Sequence, residues 1–184
     1  PEEVCRRSLA RYDKDKGAYL ITSMERDYEV RPAACEIRPL DEEGPVSVEL
    51  GLLILFYLMK AQDIPLSGKW VSEFELTGGA MFFRGPHIIQ NHEVARRYGH
   101  DVEGFSEACR RLGGEPVEMG DAAFKIRVLP RAPVIVVLWR ADEEFGASAK
   151  LLMDSTIEHH LPLDVIVGMA LELLGRIVGK VLWY

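Results

Sequence analysis

The sequence predicts one α+β domain, a mostly antiparallel sheet packed with two apolar helices and several shorter ones. Helical and strand patterns come in separate runs rather than in strict alternation, which disfavours a parallel doubly wound sheet. Two long apolar segments, Leu50 to Met59 (LGLLILFYLM) and Val165 to Val178 (VIVGMALELLGRIV), read as core helices. No internal repeat or low-complexity linker divides the 184 residues, so the domain is expected to span residues 1–184.

Each element follows from local pattern. Glu2 to Arg11 has the spacing of a short amphipathic helix. Beyond Gly17, alternation in AYLITSM and DYEVR predicts two strands about the turn Glu25-Arg26-Asp27, with ACEIR as the third strand of a meander. DEEGP, from Asp41 to Pro45, is a loop. Ser47 is an N-cap, and Glu49 is the acidic first-turn residue of a helix running to about Gln62. That helix is apolar on nearly every side, so the rest of the domain is expected to wrap around it. DIPLSGKW is a punctuated connection, after which EFEL and AMFF flank Thr77-Gly78-Gly79 as a hairpin closed by Arg84 to His87. Asn91 to Tyr98 and Asp101 to Leu112 are short helices capped by Asn91 and Asp101 and stopped by Gly99 and Gly113. In FKIRVL, Phe124, Ile126 and Val128 face one way while Lys125 and Arg127 face the other. Val134 to Trp139 (VIVVLW) is a strand buried on both faces, joined antiparallel to FKIRVL by the PRAP turn. Ala149 to Met153 is a further strand, and the last helix runs from Pro162 to about Val178.

Charge and cysteine content narrow the function classes. Against 29 acidic residues stand 22 basic ones, a net charge of -7, which is a poor background for binding phosphate backbones and sets nucleic acid aside as a partner. The longest apolar stretch is about half the roughly 20 residues that span a bilayer, so no membrane role is expected. PEEVCRRSLARYDKDKG is charged throughout and carries no apolar signal region, while a start at Pro1 points to removal of something upstream. Cys5, Cys35 and Cys109 lack any CxxC spacing and cannot all pair within one chain. Cys109 shares a helical stripe with Val102, Phe105 and Leu112, Cys5 with Leu9 and Tyr12, and Cys35 alternates in phase with Ile37. Three buried structural thiols in a reducing cytoplasm are the expectation.

Three segments could carry chemistry. RADEEF sets Asp142, Glu143 and Glu144 in a loop after a buried strand, next to Trp139. Adjacent carboxylates serve a hard cation or acid catalysis, and equally serve as solvated surface. DSTIEHHLP places Asp154 and Glu158 four apart, and His159 beside His160, so that only one of the two imidazoles aims inward. A zincin helix spaces its histidines by four, and this pair instead caps or bridges structure or gives one ligand contact. GKWVSEFELTGGAMFFRGPH offers Lys69, Trp70, Arg84 and His87 among glycines and aromatics, a mixture that binds a planar or anionic molecule or simply packs into the core. Neither GxxxxGK, GxGxxG, GxSxG nor HExxH occurs.

The string LLILFYLMKAQDIPLSGKWVSEFELTGGAMFF, the LGG at Leu112 to Gly114, and the block VLPRAPVIVVLWRADEEFGASAKLLMD with its following helix together resemble the domain-of-unknown-function family 3786 over most of the chain. The resemblance implies a cytoplasmic domain of anaerobic bacteria and archaea, an accessory to redox or one-carbon cofactor metabolism. Some relatives resemble fusions to a small iron–sulfur domain, for which this sequence lacks the cysteines. No activity and no catalytic residue comes with it.

Three functions compete. The first is a non-catalytic accessory domain that binds a small planar cofactor or a redox partner through the surface joining GKW to WRADEEF, with Lys69, Trp70, Arg84, His87 and Trp139 as contacts. The second is a metal-dependent enzyme in which Asp142, Glu143, Asp154 and His159 or His160 converge on Mg²⁺, Mn²⁺ or Fe²⁺. The third is an interaction module, a homodimer that buries the last apolar helix and the Val181-Leu182-Trp183-Tyr184 tail against another chain.

Overall fold

A computed structural model describes residues 1–41 and 45–182. The helix α1 (Glu2–Ser8) is shorter than its pattern predicts, because Leu9 turns left-handed at φ 58° and Arg11 starts a strand. The strands β1 (Arg11–Asp13), β2 (Ala18–Ser23), β3 (Arg26–Arg31) and β4 (Glu36–Pro39) form an antiparallel meander in chain order. Its first strand was hidden in the sequence, since three residues carry no readable alternation. Cys35 is exposed at φ 50° just before β4, and Cys5 is half-buried, so only Cys109 is the expected buried thiol. Desolvation pushes the Cys109 thiol up to about 12, which makes it inert.

The helix α2 (Val48–Lys60) starts where expected, with the Ser47 hydroxyl accepting from the Leu50 amide at 3.2 Å. It is not wrapped. Leu50, Leu53, Ile54, Tyr57 and Leu58 are buried while Val48, Leu52, Leu55 and Met59 stay exposed. Of the preceding loop, Glu42, Glu43 and Gly44 lie outside the described residues, and Asp41 pairs with Arg26 at 2.7 Å.

The predicted hairpin around Thr77-Gly78-Gly79 does not form. Only Trp70–Val71 is a strand, β5; Glu73–Glu75 is a 3₁₀ turn and Gly79–Phe82 the short helix α3. The local reason is a reciprocal cap, in which the Glu75 carboxylate accepts from the Ser72 amide at 2.8 Å and so commits the chain to a helical turn. Gly78, at φ 77°, then turns the chain, and a Cβ on Gly79 would lie 2.0 Å from the Glu73 carbonyl oxygen.

The helices α4 (Asn91–Tyr98) and α5 (Val102–Arg110) follow as predicted, although Asn91 is the first helical residue and its side chain is not the cap. The strands β6 (Glu115–Pro116), β7 (Ala122–Leu129), β8 (Ala132–Trp139) and β9 (Ser148–Asp154) join β5 in a second antiparallel sheet of order β5-β9-β8-β7-β6. The last helix, α6 (Leu163–Val178), is buried without a break from Val165 to Leu171, so α6 offers no apolar face to a second chain. Of the tail, Leu182 is buried and Val181 exposed; Trp183 and Tyr184 lie outside the described residues. No described helix is long and apolar enough to cross a membrane.

Both faces of β8 are covered, by different means. Val134, Val136 and Leu138 face the main core, against which α4 and α5 pack. Ile135 and Val137 face the other way, where among the described residues they are shielded with Ala123 by Trp70, Val117 and Leu152, none of them helical. The β7–β8 turn is fixed by Arg131, whose guanidinium donates to the Arg7 carbonyl at 2.8 Å, the Ile64 carbonyl at 2.6 Å and the Asp63 carboxylate at 2.5 Å. Its amide donates to the Tyr57 hydroxyl, which in turn donates to the Ser8 carbonyl, both at 3.0 Å. One residue thus ties α1 and the chain entering β5 to the second sheet through its side chain, and α2 through its amide. We expect Arg131→Ala to lower stability by about 2–4 kcal/mol in urea unfolding, and Arg131→Lys to recover little, because an ammonium cannot span partners in so many directions.

Candidate functional site

An enclosed cleft of about 190 Å³ opens on the face of the second sheet that carries Ile135 and Val137. Register decides who meets there. Trp70 pairs with Asp154, Arg127 with Pro133, and Lys125 with both Ile135 and Glu115, which sets Trp70, Asp154, Pro133, Arg127, Lys125 and Glu115 at one end of that face. The rim is completed by Leu66 and Gly68 before β5, by Pro130, and by Gly113 with Glu25.

Asp154 builds one wall. Its Oδ1 accepts from the Ser67 amide at 3.1 Å and hydroxyl at 2.9 Å and from the Thr156 amide at 3.0 Å and hydroxyl at 2.7 Å, and its Oδ2 from the Gly68 amide at 2.7 Å. Burial opposes its charge, yet the hydrogen bonds from Thr156 and Ser67 prevail and hold its pKa below the usual carboxylate range. With both oxygens occupied, this carboxylate is a clamp: it curls residues 67–68 onto the sheet and starts the 3₁₀ turn Ser155–His159.

The opposite wall comes from the first sheet. The β2–β3 turn consists of Met24 and Glu25 at φ 49° and 64°, a mirror-image turn that ordinarily takes Asn-Gly. Holding two side-chain-bearing residues there costs about 1–2 kcal/mol each. The surroundings enforce it: Met24 is buried and its amide donates to the Arg127 carbonyl at 3.2 Å, while Glu25 lies over Gly113, where a Cβ would come 2.1 Å from the Glu25 Cγ.

Charge in the cleft is unevenly spent. Lys125 is paired with Glu115 at 2.7 Å. Arg127 and Glu25 form no ion pair among the described residues, with each other or elsewhere. Arg127 does lie close enough for its charge to help lower the Glu115 pKa, after Lys125. A guanidinium, a carboxylate and the indole of Trp70 thus line one small cavity, which suits a planar molecule with an anionic edge.

The other predicted residues lie elsewhere. Lys69 is exposed and contributes its backbone, accepting from the Ser155 amide at 2.9 Å. Arg84 donates to the Ala80 carbonyl at 2.7 Å, and His87 stacks on Phe82 at 4.4 Å, so both serve the turn after α3. Trp139 is exposed at the far end of the same sheet face as Trp70. Asp142 folds its own loop by accepting from the Phe145 amide at 2.6 Å and the Glu144 amide at 2.9 Å, which lower its pKa. Glu143 and Glu144 are exposed.

The metal candidates do not converge. The strand β9 separates the Asp142 loop from Asp154 by its own length, about 20 Å at 3.3 Å per residue. His159 points to solvent and His160 is buried, its Nδ1 accepting from the Gln62 amide at 3.2 Å. Glu158 instead binds the Thr77 amide and hydroxyl, both at 2.9 Å. Among the described residues no group of three or more His, Cys, Asp or Glu side chains is placed to hold a metal ion.

The family profile described as Domain of unknown function (DUF3786) matches residues 1–176 of the 184. The chain belongs to this family. No curated protein and no solved structure matches it. For this DUF3786 domain the cleft residues that sequence reasoning missed include Glu25, Gly113, Glu115, Lys125 and Arg127; the Lys125/Arg127 alternation was visible, but nothing in the sequence showed what stood opposite.

Two outcomes follow. Asp154→Asn turns an amide NH₂ toward existing donors and is expected to lose about 2–3 kcal/mol in urea unfolding. His160 is held down to about 4, first by desolvation and then by Arg131 and His159. The folded state therefore stays unprotonated through the window from 6.5 to about 4 in which the unfolded chain takes up a proton, and stability falls as pH falls through it. His160→Asn, which keeps an acceptor for the Gln62 amide, should flatten that slope in melts from pH 7 to 4, by at most about 3 kcal/mol.

Proposed function

We propose that this protein is an accessory binding domain whose cleft beside Trp70 receives a small planar anionic molecule. The observation that carries the reading is the strained Met24-Glu25 turn, which delivers a carboxylate to a cavity already lined by Trp70 and by Arg127, a guanidinium with no salt bridge among the described residues. Local strain of this kind persists where the surrounding structure enforces it, and it gathers at binding sites. Trp70 supplies a stacking face, Arg127 pairs the anionic edge, and Glu25 accepts from a ring N–H.

Size narrows the ligand. At about 190 Å³ the cleft is below the usual 300–1,000 Å³ of drug-sized sites, so it encloses one or two fused rings and takes only an edge of a tetrapyrrole or corrinoid. A place in anaerobic redox or one-carbon metabolism, in a reducing cytoplasm, rests on the family resemblance and agrees with three free thiols.

Titrating the protein with flavin mononucleotide, a pterin, a corrinoid and a porphyrin, while following Trp fluorescence and melting temperature, tests the reading. At least one of the first two should quench the fluorescence and raise the melting temperature, and Trp70→Ala or Arg127→Ala should weaken that ligand by tenfold or more. No response to any of the four, or a response indifferent to both substitutions, would overturn it.

A further inference from the structure

We propose that the chain self-associates through α2, pairing with the same helix of a second copy in antiparallel fashion. The exposed residues of α2 are not scattered. Val48, Leu52, Leu55 and Met59, exposed at 73%, 49%, 40% and 66%, follow a 4-3-4 spacing that forms one stripe opposite the face buried on the core. This is the spacing of a helix-pairing seam. With the stripe in water, four large apolar side chains stay hydrated on an otherwise well-packed helix.

The stripe is complementary to itself. A two-fold axis midway along α2 sets Val48 opposite Met59 of the second copy and Leu52 opposite its Leu55, since each pair is symmetric about the helix centre. Charge selects the same arrangement. Glu49 and Lys60 lie at opposite ends of α2, three turns apart and in line on one flank of the stripe. The two-fold exchanges the ends and keeps the flank, so Glu49 of each copy faces Lys60 of the other. Neither makes an ion pair among the described residues, and the three cations that share a cleft with Glu49 are engaged elsewhere, Arg26 with Asp41, Arg176 with Glu172 and Lys180 with Glu93, each at 2.7 Å. Antiparallel pairing also opposes the two helix dipoles favourably.

A second copy is thus the occupant that the stripe and its flanking charges fit. This surface is not the C-terminal one, since α6 is buried within the chain. A single pair of four-turn helices covers less than the roughly 800 Å² per partner of a standard interface, so the dimer should be weak, with a dissociation constant above about 1 µM.

Sedimentation velocity from about 1 µM to about 1 mM is the test. A monomer–dimer equilibrium is expected, weakened tenfold or more by Leu55→Glu. Glu49→Lys alone and Lys60→Glu alone should each weaken it several-fold, as symmetry counts each pair twice, and the double variant E49K/K60E should return to within about threefold of the parent. These surface changes leave the core intact, and circular dichroism melts verify folding. A monomer at every concentration, association indifferent to Leu55→Glu, or a double variant as weak as the singles would overturn the proposal.

Discussion

The carboxylate of Asp154 is the constraint on which the candidate site depends. It stands at the end of β9 with its oxygens filled by five donors from Ser67, Gly68 and Thr156. Because those donors come from both sides of the strand end, one buried charge holds the chain entering β5 and the turn leaving β9 in a single arrangement. Trp70, two residues after Gly68, then has one place to go: onto the uncovered face of the sheet, where it shields Ile135 and Val137. A buried carboxylate read from sequence as a metal ligand is here an organiser of backbone, four of its five donors falling on Oδ1 and one on Oδ2.

The second sheet shows how a cleft arises where a layer is missing. One face is packed by helices, and the other has only a thin cover of Trp70, Val117 and Leu152. At the end of that face, the tip of the other sheet's hairpin arrives with its Met24 amide bonded to the Arg127 carbonyl. Two separate hydrogen-bonded sheets thus meet over a gap that neither fills. The polar groups at such a junction are positioned by the register of both sheets, which gives the rigidity that selective binding of a small molecule needs.

Periodicity made much of the fold legible. The alternation of FKIRVL, the apolar run of VIVVLW and the caps at Ser47 and Asp101 each correspond to an observed strand or helix start. The failures have physical causes. An apolar residue in α2 need not be a buried one, and hydrophobicity all round the helix concealed that Leu52 and Leu55 form an external stripe. Around Gly78, strand-like composition lost to the Ser72–Glu75 cap and to a glycine turn. Trp70 and Asp154 were singled out separately, but their meeting depends on the β5–β9 register, and Glu25 opposite Arg127 depends on how two sheets dock. Such contacts are set by tertiary packing, which no local window contains.

The most direct test of the central claim, that the cleft between the two sheets is the binding site, is a map of backbone and side-chain shifts by two-dimensional NMR during titration with a mixed set of small planar anions. The account predicts perturbations centred on the Trp70 indole N–H, the Arg127 guanidinium, and the amides of Glu25, Gly68 and Gly113. Perturbations centred instead on the Asp142–Phe145 loop or the turn after α3, with the cleft silent, would contradict it.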